Sequence, residues 1–93
     1  MVIKLLTIDI HFPGRASLKE KRIVLSSVKA KLRRQFNVAV AEVDYHNKWQ
    51  RSLLAIVTVG VDGAVVDLTF DKILKMLNHD HRLTVLDCHR EIC

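Results

Sequence analysis

Residues 17–51 read SLKEKRIVLSSVKAKLRRQFNVAVAEVDYHNKWQR, and the parsing of this stretch decides the fold. Ser17 stands three residues before Glu20, the spacing of a capping box. The hydroxyl accepts from a free amide of the first turn and the carboxylate reaches back to the cap. Pro13 and Gly14 just upstream end whatever comes before. Leu18, Leu25, Val28 and Leu32 then fall on one arc at helical spacing, with Val24 at its margin, which makes that arc the core face. Lys19, Arg22, Lys29 and Arg33 form a second stripe beside it. Lys21 falls inside the apolar arc; placed in the first turn, it is expected to run its stem past the end of the core and keep its charge in water.

The charge of the chain is concentrated here. Residues 17–36 hold seven basic side chains and one acid, Glu20, so this segment alone exceeds the +5 of the whole chain. The result is a localised positive field, not a diffusely basic composition.

Working outward, the pattern switches from helical to alternating periodicity after Phe36. Residues 37–45 read as a strand with Ala39, Ala41, Val43 and Tyr45 on one face and Val38, Val40, Glu42, Asp44 and His46 on the other. Residues 46–50 turn. Residues 51–60 read as a strand whose Leu53, Leu54, Ala55, Ile56 and Val57 are apolar on both faces. Upstream, residues 2–12 alternate Leu6, Ile8, Ile10 and Phe12 against Leu5, Thr7, Asp9 and His11, the period of a half-buried strand. Downstream, Asp62 and Gly63 start a second helix with Val66, Phe70, Ile73, Leu74 and Leu77 on its core face. It ends near residues 78–80, and residues 82–92 form the last strand.

The order is βαββαβ. Right-handed crossovers turn that order into an α+β, ferredoxin-like sandwich: a four-stranded antiparallel sheet, order 4-1-3-2, with two helices on one face. Ninety-three residues make one domain, residues 1–93. The opposite sheet face is expected to show Ile3, Leu5, Val38, Val40, Leu83 and Val85, ringed by Asp9, Glu42, Asp44 and Asp87. With 49% of the chain hydrophobic, that face is expected to be buried in a homodimer, by apposition of faces or pairing of an edge strand.

Three runs carry a resemblance: HFPGRASLKEKR (11–22), FNVAVAEVDYHNKWQR (36–51) and LDCHREI (86–92). They resemble the YlxP-like family of small bacterial proteins of unknown function (domain of unknown function 503), over essentially the whole chain. The resemblance implies a ferredoxin-like fold and a bacterial cytoplasmic protein. Members are often encoded beside translation factors and sometimes described as ribosome-binding-factor-like. It brings no established activity and no catalytic residues.

Two cysteines, Cys88 and Cys93, make no disulfide framework, and neither CxxC nor Cys/His zinc spacing occurs. The cheap expectation is a reducing, cytoplasmic compartment. Cys88 is expected to fill space beneath a helix rather than react. The first ten residues, MVIKLLTIDI, carry Lys4 and Asp9 and are too short to span a bilayer, so no membrane association is expected. There is no nucleophile elbow, P-loop or Gly-rich dinucleotide turn, and the expectation is no enzyme and no cofactor.

The topology gathers one end of each element onto a single rim, with His11, Arg15, Lys19, Arg22, Asp44, His46, Trp49, Arg51, His79 and His81. One candidate there is a phosphate site: Pro13-Gly14-Arg15 leads into a helix N-terminus, with Lys19 and Arg22 one turn in. Trp49, flanked by Lys48 and Arg51, suits stacking on an unpaired base. The competing explanation is that Ser17 and Glu20 already occupy those amides and that Trp49 packs down on the hairpin. A metal site from His11, His79 and His81, with Asp9, is the weaker candidate because no ligand spacing is matched; no metal is expected. RNA recognition by aromatics on the central strands is excluded, since strands one and three offer only Phe12, at the end and on the helix side.

The expected function is therefore a bacterial cytosolic accessory protein that binds RNA or the ribosome through the basic helix. Arg15, Lys19, Arg22, Lys29, Arg33, Trp49 and Arg51 are the nucleic-acid- or phosphate-binding residues. The alternative is a self-associating structural module, for which the basic stripe is only a solvated face.

Overall fold

A computed structural model describes residues 1–93. The elements run β1 (Val2–His11), α1 (Leu18–Gln35), β2 (Ala39–Asp44), β3 (Arg51–Gly60), α2 (Gly63–Asn78) and β4 (Thr84–Ile92). They form one antiparallel sheet of order β2-β3-β1-β4. That is the expected order counted from the other edge, and the fold is the ferredoxin-like α+β sandwich.

Both helices start at a side-chain cap. Ser17 Oγ accepts from the Glu20 amide at 3.2 Å, and Glu20 Oε2 accepts from the Ala16 amide at 2.6 Å. The box is therefore closed one residue further upstream than the simple pattern implies. Asp62 Oδ1 accepts from the Val65 amide at 2.9 Å and starts α2. The core lies between the sheet and the helices. Leu6, Ile8, Ile10, Leu54 and Ile56 from the two central strands meet Val24, Leu25, Val28 and Leu32 of α1 and Val66, Phe70, Ile73 and Leu77 of α2.

Cross-strand partners share a sheet face, and the register corrects the expectations for both edge strands. Val40 pairs with Ile56, which is fully buried, so Val40 faces the helices and is itself buried; Val38 packs against the same core. Small Ala39 and Ala41 take the open face instead. Glu42, opposite Leu54, also points to the helix side and does not ring the open face. A bulge between Glu42 and Asp44 then shifts the phase and sets Asp44 opposite Leu53. In β4 a second bulge falls between the Val85–Ile10 and Asp87–Asp9 pairs. It turns Leu83 and Val85 to the core while Asp87, His89 and Glu91 stay on the open face. Cys88 lies exposed on this edge strand rather than beneath a helix.

The open face is thus built from Ile3, Leu5, Leu53, Ala55, Val57 and Val59 of the central strands plus the two alanines of β2. Ile3 and Leu5 stand there as expected, but the edge strands contribute Ala39 and Ala41 in place of Val38 and Val40, and Asp87, His89 and Glu91 in place of Leu83 and Val85, so the apolar patch is narrower than expected and centred on β1 and β3. No helix is long and apolar enough to cross a membrane.

Candidate nucleic-acid interface

Helix α1 has 18 residues, about 27 Å of axis, and its flank beside the β2 edge carries the stripe. Lys19, Arg22 and Arg33 are exposed and Lys29 is half-buried. Arg33 Nη2 donates to the Val40 carbonyl at 2.9 Å, which ties the flank to the edge strand. A shallow groove of about 610 Å³ runs along the first half of the helix between Leu18, Lys19, Arg22, Ile23 and Ser26.

The distribution of partners separates this flank from the rest of the molecule. Lys4 and Arg90 pair with Asp67, Arg90 also with Asp71, Arg82 with Asp80, and Arg51 with Asp9. Lys19, Arg22, Lys29, Lys31, Arg33 and Arg34 of α1 pair with no acid. The ion pairs lie around α2, β4, the rim and the buried Lys21, and none of them compensates the α1 flank.

Lys21 departs from expectation. It does not run out to water: it is fully buried, in the middle of the core face of α1. Its Nζ donates to Glu42 Oε2 at 2.9 Å and to the Tyr45 carbonyl at 2.7 Å. Ser52 Oγ donates to the same Glu42 oxygen at 2.6 Å, and the His46 ring donates from Nε2 to the Glu42 carbonyl at 3.0 Å. Burial pushes the Glu42 carboxyl up, but the hydrogen bonds from Ser52 and Lys21 and the charges of Lys21 and His46 outweigh it, so the group sits below its ordinary value. An ammonium is held in this core because a carboxylate and a carbonyl accept from two of its three N–H groups.

The network holds a turn. Tyr45 has φ +63°, left-handed backbone that a bulky side chain enters only when its surroundings impose it. Here Lys21 Nζ and the Lys48 amide bond its carbonyl, and Asp44 Oδ1 accepts from its amide. The Arg51 guanidinium lies 4.3 Å over its ring. Arg51 in turn holds Asp9 by two bonds of 2.6 and 3.0 Å. That pairing, led by the hydrogen bond, draws the Asp9 carboxyl below and the Arg51 guanidinium above their ordinary values. Beyond this platform the turn carries Trp49, 48% exposed. A cleft of about 310 Å³ opens between His11, Tyr45, Lys48, Trp49, Gln50 and Arg51.

Of the seven residues singled out by sequence, Lys19, Arg22, Lys29 and Arg33 share one flank, and Trp49 and Arg51 share the rim cleft. Arg51 is not a free cation, because Asp9 neutralises it. Arg15 is half-buried, with its Nε enclosed and without a hydrogen-bond partner. At the α1 N-terminus, the candidate phosphate site, the Glu20 amide is already taken by Ser17 Oγ, and the Glu20 carboxylate lies on the Ala16 amide just upstream, which sets a negative charge at that end of the helix. The histidines do not converge: His11 lines the Trp49 cleft, while His79 and His81 line a separate one with Lys31, Met76, Asp80 and Arg82. No three His, Cys, Asp or Glu side chains are grouped to hold a metal ion. Sequence reading missed Glu42 and the Tyr45 carbonyl as partners of Lys21, and Ser52 as a partner of Glu42; the signal was a lysine at the centre of an apolar arc and a lone glutamate in an Ala/Val strand.

The chain matches the family model described as protein of unknown function (DUF503) over residues 3–90. The uncharacterized protein YlxP of Bacillus subtilis (strain 168) is 31% identical over 62 residues, which cover 67% of each chain. The chain belongs to the DUF503 family, in line with the resemblance read from its three sequence runs.

Proposed function

We propose that this DUF503 member is a cytosolic accessory protein that binds RNA, free or within the ribosome, through the α1 flank. The single observation that carries the reading is that six cations of one helix, Lys19, Arg22, Lys29, Lys31, Arg33 and Arg34, are all without an ion-pair partner. Lys19, Arg22 and Lys29 meet phosphate oxygens, and Arg33 contributes while braced on Val40. Contacts of this kind position a strand without reading its bases, so binding is salt-sensitive and weakly sequence-dependent. Ribosomes are sedimented with the protein over a salt series, beside the Lys19→Glu/Arg22→Glu/Lys29→Glu variant. The expected result is co-sedimentation at low salt that disappears with rising salt and is absent in the folded variant. Binding that ignores both changes, or no binding at low salt, overturns it.

One observation favours a second reading, self-association through the open sheet face. Val57 is 37% and Val59 50% exposed beside Ile3, Leu5 and Leu53. Four strands with ten-residue centres offer a face of about 600 Å², not far from the roughly 800 Å² per partner of a standard interface. Asp9, Asp44, Asp87 and Glu91 edge the patch. The basic flank lies on the other side of the sheet, so the two readings use different surfaces.

A further inference from the structure

We propose that the rim cleft at Trp49 is a nucleotide site: it takes one unstacked nucleotide, with the base on the Trp49 indole and its phosphate against Lys48 and His11. The proposal deepens the RNA reading and rests on it for its natural ligand. The lining excludes simpler occupants. A purely apolar ligand would cover the Lys48 ammonium, which has no ion-pair partner, and a small anion would have no use for a half-exposed indole. A flat π-system joined to a phosphate satisfies both halves of the wall. About 310 Å³ is the low end of ligand-pocket volumes and holds one nucleotide, not a helical end.

The platform is also preorganised. Arg51 is locked between Asp9 and the Tyr45 ring, and Tyr45 is pinned by Lys21 through its carbonyl. The turn that presents Trp49 is thus fixed on its strand side by contacts formed without ligand. Because Asp9 already neutralises Arg51, the phosphate charge falls to Lys48, which no acid pairs. Stacking requires a base free of its neighbours, so a single strand or frayed end enters and a continuous duplex does not. The α1 flank accepts phosphate from either, which makes the preference for single strands a property of the rim alone.

Trp49 is the only tryptophan of the chain and reports its own occupancy. The full-length protein is titrated at low salt with adenosine 5′-monophosphate, a single-stranded RNA decamer and an RNA duplex of equal length. Tryptophan emission and the anisotropy of labelled RNA are followed together. The expected result is quenching by the decamer and, at higher concentration, by the mononucleotide, but not by the duplex. Trp49→Ala should weaken the decamer about tenfold and leave the duplex unchanged, and Trp49→Phe should restore most of the loss. Lys48→Glu serves as a second variant, with the same selective loss expected. Decamer binding with unchanged emission, or equal losses for decamer and duplex, overturns the rim site and leaves the α1 reading standing. If neither RNA binds, the α1 reading fails, and the mononucleotide arm decides the rim: quenching that is lost in Lys48→Glu supports it, and no quenching overturns it.

Discussion

Lys21→Met tests the feature least expected from sequence. Methionine keeps most of the stem and its packing but removes the ammonium. The Glu42 carboxylate, half-buried behind Ser52, then loses its cation, and the Tyr45 carbonyl loses its 2.7 Å donor while its backbone stays left-handed. The Lys21 side chain is 1% and that of Glu42 12% exposed, so water can screen or replace little of this. Breaking such a pair from one side costs about 3 kcal/mol or more. A domain of this length has on the order of 5–14 kcal/mol in total, so the melting temperature should fall by about 12–24 °C. Lys21→Met/Glu42→Gln removes both charges and keeps an acceptor for Ser52; it should recover at least half of the loss. The assay is thermal and urea unfolding followed by circular dichroism, for the wild type, both single variants and the double.

The same cycle carries a pH dependence of definite sign. The folded Glu42 carboxyl lies below its ordinary value of 4.5. Its share of stability is therefore fully present above the unfolded value and is lost as pH falls through the lower folded value. The gap between wild type and the double variant should narrow on acidification from neutral pH to about 3. A Lys21→Met protein within about 0.5 kcal/mol of wild type, below what loss of any named buried contact produces, would refute the reasoning. It would mean that the ammonium reaches water and that the apolar arc closes without it.

Three further outcomes are open to direct measurement. Asp9→Asn frees the Arg51 guanidinium at the rim, so RNA affinity should rise and its salt dependence steepen by up to about one further released counterion; equal titrations for the variant and wild type would remove Arg51 from the interface. Val57→Asp should abolish a face-to-face dimer in sedimentation while leaving the fold intact, whereas Val40→Asp puts a charge into the core at a residue 7% exposed and should unfold the protein; a monomeric wild type at high concentration removes the self-association reading. Cys88 and Cys93 are both exposed, so a thiol reagent should titrate two groups rapidly in the native protein; one slow thiol would bury Cys88 and change the β4 register.

Alternation and capping were legible because they are local. Leu6, Ile8, Ile10 and Phe12 announce their face by period alone, and Ser17 and Asp62 announce helix starts by the hydrogen bond each side chain makes within three residues. Phase in an edge strand is not local. Val40 and Ala41 are both acceptable inside, and only pairing with Ile56 and Ala55 decides which one goes there. The bulge beyond Val85 is likewise invisible until Asp87 is matched to Asp9, since one extra residue reverses every later side chain. Lys21 failed for a related reason. Its position on the wheel was correct, but the partners that let an ammonium stay inside, Glu42 and the Tyr45 carbonyl, lie 21 and 24 residues on and meet it only through the fold.

Those same partners bear on why the flank is positive. Glu42 is carried by the edge strand to which Arg33 of the α1 stripe is tied, and without Lys21 its carboxylate charge would cancel part of the positive field of the helix. Lys21 takes that charge from beneath. An internal cation is therefore paired with the acid of β2 and the external cations remain free, the reverse of the rim, where Asp9 neutralises Arg51. Loss of Lys21 is therefore expected to lower both stability and the positive surface potential. The two effects separate in one comparison: Lys21→Met loses both, because Glu42 is left ionised, whereas Lys21→Met/Glu42→Gln restores neutrality at that point. RNA affinity measured well below either melting temperature should therefore follow the Glu42 charge rather than the stability. An affinity that tracks stability instead would make the buried pair a purely structural device and leave the sign of the flank to the surface residues alone.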